Sequence, residues 1–302
     1  YVALSHRWGT SQHFTTTKET MAAREQGFHQ DQLPATYRDA VTTARNLGFA
    51  YLWIDSLCIV QDDAADWKSE SQRMGNIFKH ASFTIAAHCA RGDDEGFLAR
   101  ALVKRGGTVD HHHHKTSPET SFTLYRRGNL AMDVTASALC RRGWVLQERF
   151  MASRTIHFTD GQVFAETTDT ESTTTFYSPS AAPALRAMFG LGPHRAGAAE
   201  CLLSPITPTP GEPLTVPLEW LDLVEMYSNC ELTKASDKLM AIAGMAREIQ
   251  RQTGSVWAAG LWGDILLPSL LWMPGAAAGL RRPACPRERA PSWSWAAWDG
   301  SV

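Results

Sequence analysis

The chain has 302 residues, 44% of them hydrophobic, enough to bury a large core in one elaborated domain or two. A formal net charge of -2 gives no global attraction to nucleic acid or an anionic membrane, and no apolar run approaches the roughly 20 residues of a spanning helix. The six cysteines (Cys58, Cys89, Cys140, Cys201, Cys230, Cys285) form no Cys-x-x-Cys pair and no zinc-like spacing, so reduced thiols, a cytoplasmic location and no metal centre are expected.

Val2–Ser5 is a short apolar strand, and His6-Arg7-Trp8-Gly9 after it reads as a loop. This opening is neither an initiator Met nor a signal peptide, as expected of a domain cut from a longer protein. Leu33-Pro34 opens a helix with Tyr37, Ala40, Val41, Ala44 and Leu47 on its apolar side, and Gly48 closes it. Tyr51–Ile54 is a continuous apolar run, expected as a strand covered on both faces. Asp62, Asp63 and Asp66 then gather where negative charge favours a helix start. On that helix Trp67, Ser71, Met74, Ile77, Phe78 and Ala81 recur at three- and four-residue steps, while Lys68, Arg73, Asn76, Lys79 and His80 point away. Glu70 falls inside the apolar stripe, where an unpaired carboxylate is costly and often functional. Phe83–Ala87 is a further strand, and the alternation of strands and helices argues a parallel sheet with helices on both faces.

From Ala99 to Asn129 the chain is basic and Gly-containing. Its run His111 to His114, between Gly106-Gly107 and Thr116-Ser117-Pro118, reads as a solvent loop rather than a metal site. Gly143–Met151 is a short helix, and Thr155–Glu166 alternates about Asp160-Gly161 as a hairpin does. Residues 1–166 are thus expected as the core, 167–215 as a flexible insertion rich in Pro, Thr, Ser and Ala, and 216–302 as a helical, Trp-rich region packed on the core. Within the last, Leu218–Leu232 and Asp237–Thr253 read as helices. Asp237 is the expected N-cap of the second, with Leu239, Ile242, Ala243, Ala246 and Ile249 on its core side. The tryptophans at 257, 262, 272, 293, 295 and 298 are expected chiefly in core packing.

Ligands of open α/β sheets bind beyond the carboxyl ends of the strands. Ser5, His6 and Arg7 follow the first strand, Asp55 and Ser56 the second, and Glu70 lies on the next helix. Hydroxyls, a basic group and two carboxylates therefore converge on one crevice, unless Arg7 or Arg142 simply pairs with Glu70 or Asp55 in a structural network. Arg142, Glu148 and Arg149 form a second polar cluster, either another wall of the site or pairs on a helix surface. Glu148 rivals Glu70 as the key carboxylate, and His6 has no assigned role. There is neither Gly-x-Gly-x-x-Gly nor a P-loop motif.

Several blocks carry a family resemblance. Tyr1-Val-Ala-Leu-Ser-His-Arg-Trp-Gly9, Leu52-Trp-Ile-Asp-Ser-Leu-Cys-Ile-Val-Gln-Asp62, Asp66-Trp67 with Glu70 and Met74, Arg142-Gly-Trp-Val-Leu-Gln-Glu148 and Ala290-Pro-Ser-Trp-Ser-Trp295 resemble the fungal heterokaryon-incompatibility (HET) domain. The resemblance runs along the chain with gaps at about 99–135 and 167–215. It implies an effector of vegetative incompatibility and programmed cell death. HET domains are in turn described as remotely similar to TIR domains, which implies a flavodoxin-like parallel sheet flanked by helices. Several TIR domains cleave NAD at the nicotinamide–ribose bond with one glutamate, on a helix after a strand, near a tryptophan. Trp67-Lys-Ser-Glu70 stands at that topological position, with a spacing one residue shorter than the TIR pattern. The implied roles are Glu70 as catalytic carboxylate, with Ser5, Arg7, Trp8, Asp55, Ser56, Arg142 and Glu148 binding substrate. NAD is then a substrate, no cofactor is needed, and self-association accompanies activity under an upstream receptor or flanking domain. The alternatives are a non-enzymatic death module acting by oligomerisation, or a nucleotide sensor without turnover.

Overall fold

The computed structural model describes residues 1–10, 14–99, 105–111, 120–125, 130–167, 174–176, 216, 219–275 and 289–302. The chain builds β1 (Val2–Ser5), α1 (Met21–Glu25), α2 (Ala35–Asn46), β2 (Leu52–Trp53), α3 (Asp55–Cys58), α4 (Ala64–His80) and β3 (Phe83–Ala87). Then follow β4 (Arg105–His111), β5 (Thr120–Tyr125), α5 (Gly143–Met151), β6 (Arg154–Phe158), β7 (Val163–Thr167) and β8 (Thr174–Phe176). The remainder is α6 (Glu219–Ser228), α7 (Ala243–Thr253), β9 (Trp257–Ala258), β10 (Leu261–Trp262) and α8 (Leu266–Leu270).

The main sheet runs β2-β1-β3-β6-β7-β8. Its first four strands are parallel, with Leu4 beside Ile85 and Ile85 beside Ile156. β7 returns antiparallel from β6 as the expected hairpin, His157 opposite Phe164. The order of the parallel strands is that of flavodoxin-like doubly wound sheets, whose direction of winding switches between the first and third strands. Side-chain alternation decides which helix covers which face. Val2, Leu4, Phe83, Ile85 and Ile156 pack with Tyr37, Ala40 and Ala44 of α2. On the other face, Ala3 joins Met74 and Phe78 of α4 and Leu146 and Met151 of α5. The ends of the helices obey local chemistry. Gly48 takes the left-handed conformation (φ +86°) just after α2, and Asp63 caps α4 by accepting from the Ala65 and Asp66 amides at 2.9 and 3.3 Å.

The C-terminal region packs on α4 and α5 and shares their core. Trp220, Trp262 and Trp295 are fully buried, whereas Trp293 is exposed. Where α4 meets α7, Gly75 and Gly244 let the backbones touch: a Cβ on Gly75 would lie 3.1 Å from the Gly244 Cα. The Gly244 amide donates to Gln147 Oε1 on α5 at 2.6 Å. Gly244→Val is therefore expected to lower stability by about 1–3 kcal/mol through overpacking, and an unchanged urea midpoint would contradict this close approach.

Three expectations are corrected. The segment Tyr51–Ile54 is not a strand covered on both faces. Only Leu52–Trp53 pair, half-buried, because β2 is the sheet's edge and bonds to β1 alone. Within the expected loop at 99–129, Arg105–His111 pair antiparallel with Thr120–Tyr125, the Thr, Phe and Tyr content favouring a strand despite the basic composition. His112–His114 lie outside the described residues. Asp237 does not cap a helix. Residues 235–242 form tight 3-10 turns before α7 begins at Ala243, and the Tyr227 hydroxyl holds the Lys238 carbonyl at 2.6 Å. The proposed insertion 167–215 lies outside the described residues apart from Thr167 and Thr174–Phe176.

Candidate functional site

At the carboxyl end of β1 the chain leaves the sheet through His6, whose ring is buried. Its Nε2 lies 3.1 Å from Asp93 Oδ1 and 3.3 Å from the Tyr37 hydroxyl, and its Nδ1 lies 3.9 Å from Asp55 Oδ1. The Tyr37 and Ser56 hydroxyls are 2.7 Å apart, and burial raises the Tyr37 phenol above its ordinary pKa. Asp55, the first residue of α3, accepts the Ser56 amide at 2.7 Å and the Trp8 indole N–H at 3.0 Å. The second bond fixes the indole beside it.

Two loops close on each other over this network. The Asp93 amide donates to the Trp8 carbonyl at 3.2 Å, and Thr36 at the start of α2 donates through its hydroxyl to Gly92. Gly9 is left-handed (φ +79°), and a Cβ there would sit 2.8 Å from the Gly92 Cα, so a side chain is excluded twice over.

From the α5 side, the Arg142 guanidinium donates to the His6 carbonyl. Glu148 is buried below it, and burial pushes its carboxyl up to about 7. The Arg142 charge and the neighbouring Ser5 hydroxyl pull the other way, and Asp55 adds to the rise. Arg7 is half-buried and has no hydrogen-bond or ion-pair partner among the described residues.

Of the residues named from sequence, Ser5, Trp8, Asp55, Ser56, Arg142 and Glu148 meet in this one network, with Arg7 on the adjoining loop. Glu70 stands apart from it. On α4 it is half-buried and paired with exposed Arg73 at 2.8 Å, although both Glu70 and Asp55 lie within electrostatic reach of the Cys58 thiol. Sequence reasoning missed His6, Tyr37 and Asp93. Tyr37 and His6 carried a signal, as polar groups set among core positions, whereas Asp93 in an ordinary Gly-Asp-Asp turn carried none. Among the described residues no group of three or more His, Cys, Asp or Glu could hold a metal ion, four cysteines are free thiols, and no helix is long and apolar enough to cross a membrane.

An open sheet wound in the order 2-1-3-4, with charged and hydroxyl groups gathered beyond its first two strands, defines an α/β protein of the doubly wound class. Residues 1–148 match the family model described as Heterokaryon incompatibility protein (HET), so this stretch of the chain is a HET domain. This membership supports a role in heterokaryon incompatibility. Searches of curated proteins and of solved structures found no match.

Proposed function

We propose that this HET domain acts in heterokaryon incompatibility by hydrolysing NAD to nicotinamide and ADP-ribose, in a TIR-like manner, at the crevice beyond β1 and β2. The observation that supports this most is the convergence of Ser5, Trp8, Asp55, Ser56, Arg142 and Glu148 on the position where doubly wound sheets bind nucleotides. The glycosidic C–N bond breaks with its electrons passing to nicotinamide, which leaves neutral and needs no general acid. Water adds to the oxocarbenium-like ribose and gives up a proton. A single carboxylate can stabilise that developing positive charge.

The chain offers two such carboxylates with different capacities. Glu148 is sealed beneath Ser5 and Arg142, which suits positioning the wall of the site. Glu70, partly exposed on α4 and paired with Arg73, is the carboxylate assigned to the ribose hydroxyls, and must leave that pair to meet them. Arg7, with no described partner, suits the pyrophosphate, and the indole of Trp8, anchored by Asp55, offers a face for stacking.

Concentrated wild-type protein incubated with NAD is expected to release nicotinamide, followed by chromatography, and Glu70→Gln to release it about 100-fold more slowly while keeping its melting temperature. A variant as active as wild type removes Glu70 from the chemistry and leaves Glu148 to be tested likewise. No nicotinamide from clustered wild type ends the enzymatic reading. A sensor without turnover is the second reading. Its support is that Trp8, Asp55 and Arg142 are already tied to one another or to backbone, and NAD binding without nicotinamide release would establish it.

A further inference from the structure

A second polar chain crosses the α5 face of the sheet, independent of the network around His6. His88 follows β3, His157 lies on β6, and Glu166 lies on β7 opposite Thr155, hence on the same face as His157. The Ser137 hydroxyl is 2.7 Å from His88 Nδ1, His88 Nε2 is 2.9 Å from His157 Nδ1, and His157 Nε2 is 2.9 Å from Glu166 Oε2. Arg149 of α5 closes the far end with two bonds to the Glu166 carboxylate, at 3.0 and 2.9 Å.

The direction of every proton in this chain follows from its end. The bonds from His157 and Arg149 outweigh the effect of burial and hold Glu166 well below the usual carboxylate range, so it only accepts. Burial lowers the pKa of His157, which is therefore a neutral ring with its proton on Nε2, aimed at Glu166. Its Nδ1 must accept, so His88 carries its proton on Nε2. His88 Nδ1 is then an acceptor facing Ser137. The Ser137 oxygen already accepts the Cys140 amide at 3.3 Å, which leaves its own proton for His88. The half-buried serine thus donates to an imidazole that a buried imidazole and a carboxylate orient in turn. This is the relation of nucleophile, base and orienting group used in covalent catalysis.

We propose that Ser137 is a base-activated nucleophile that takes an acyl group from an ester, with His88 as general base and His157 and Glu166 as positioning residues. The Ser137 oxygen bonds to the carbonyl carbon as its proton passes to His88 Nδ1. The ester C–O bond then breaks, and the alcohol leaves with that proton. Water attacks the acyl-serine through the same base, giving the acid and restoring the serine. No oxidant, metal or further reactant is needed. Lining up a buried imidazole, a half-buried imidazole, and a half-buried carboxylate and guanidinium contributes little to stability compared with apolar packing, and the line ends on a hydroxyl with partial access to solvent.

The test is covalent labelling of the purified chain by an alkyl fluorophosphonate, which phosphonylates such a serine with loss of fluoride. Expected is one phosphonyl group by intact mass, mapped by peptide sequencing to Ser137 and absent in Ser137→Ala. His88→Gln is expected to slow labelling about 100-fold or more. Glu166→Gln should move the midpoint of the labelling rate to lower pH. The imidazolium formed on His88 and His157 loses its facing carboxylate, while Arg149 on α5 and Cys140 on the loop before it remain. A chain that stays unlabelled at Ser137 while a serine hydrolase in the same tube reacts overturns the proposal. So does labelling of His88→Gln at the wild-type rate in a variant that melts normally.

Discussion

Glu148→Gln is expected to abolish a pH-dependent loss of stability amounting to about 3 kcal/mol between pH 4.5 and about pH 7. In the folded protein, burial raises the Glu148 carboxyl from 4.5 to about 7. Below pH 4.5 the acid is protonated in both states and costs nothing. As pH rises through the window, the unfolded chain releases the proton while the folded chain keeps it, so unfolding is favoured progressively. Above about 7 the folded state ionises too, and the full penalty remains. Glutamine cannot ionise and removes that slope.

Other groups act differently and are common to both proteins. Glu166 and Glu248 are depressed, so their stabilisation is lost only as pH falls below the ordinary carboxylate range. His157 is lowered by burial, so its slope opposes that of Glu148 below pH 6.5. These contributions cancel when urea midpoints of wild type and variant are subtracted at each pH. A difference that stays flat from pH 4.5 to 8 would mean that Glu148 is not buried as an acid.

Trp262→Ala should cost about 3–5 kcal/mol, the most of any single truncation in the C-terminal region. The ring is fully buried, edge-on to Trp220 at 5.4 Å and tilted against Trp257 at 6.4 Å. Nearby, both Trp220 and Trp295 donate their indole N–H groups to the Gly260 carbonyl, at 3.4 and 3.1 Å. Gly260 is left-handed, and a Cβ there would meet the Trp295 ring at 2.8 Å, so the turn before β10 cannot relax into the space that Trp262 leaves. The core involved also contains Met74, Leu146 and Met151, so the loss should spread to α4 and α5. Far-ultraviolet circular dichroism during urea unfolding would show it as a large fall in midpoint. A shift worth under about 1 kcal/mol would place Trp262 outside the cooperative core.

The parts of the fold that sequence reveals are those with a short repeat. Val2–Ser5 and Phe83–Ala87 read as strands, and the stripe from Trp67 to Ala81 gave α4, because each pattern is local. The same periodicity misleads where one side chain serves two purposes. Tyr37 counts as apolar by position, and its ring does pack in the core, yet its hydroxyl binds Ser56. Glu70 sits at the margin of its stripe, where a flexible side chain reaches outward to Arg73. Glu148 could not be told from a surface ion pair on a nine-residue helix, since its burial comes from elements far along the chain. The approach of His6 to Asp93, and of His88 to His157, depends on strand order, which no local pattern encodes.

The family match ends at Glu148, in the middle of α5, seven residues before β6 begins to pair with β3 at Thr155. The stretch that the family model matches is therefore not the whole of the packed unit. Strand β3 needs β6 to cover its edge, and α5 needs Gln147 seated against Gly244 of α7. The cooperative body includes elements from both sides of that boundary. Anything that loosens the tryptophan-rich region would thus be felt at the carboxyl ends of β1 and β2, through α5, which carries Glu148 on one side of that boundary and packs on α7 through Gln147.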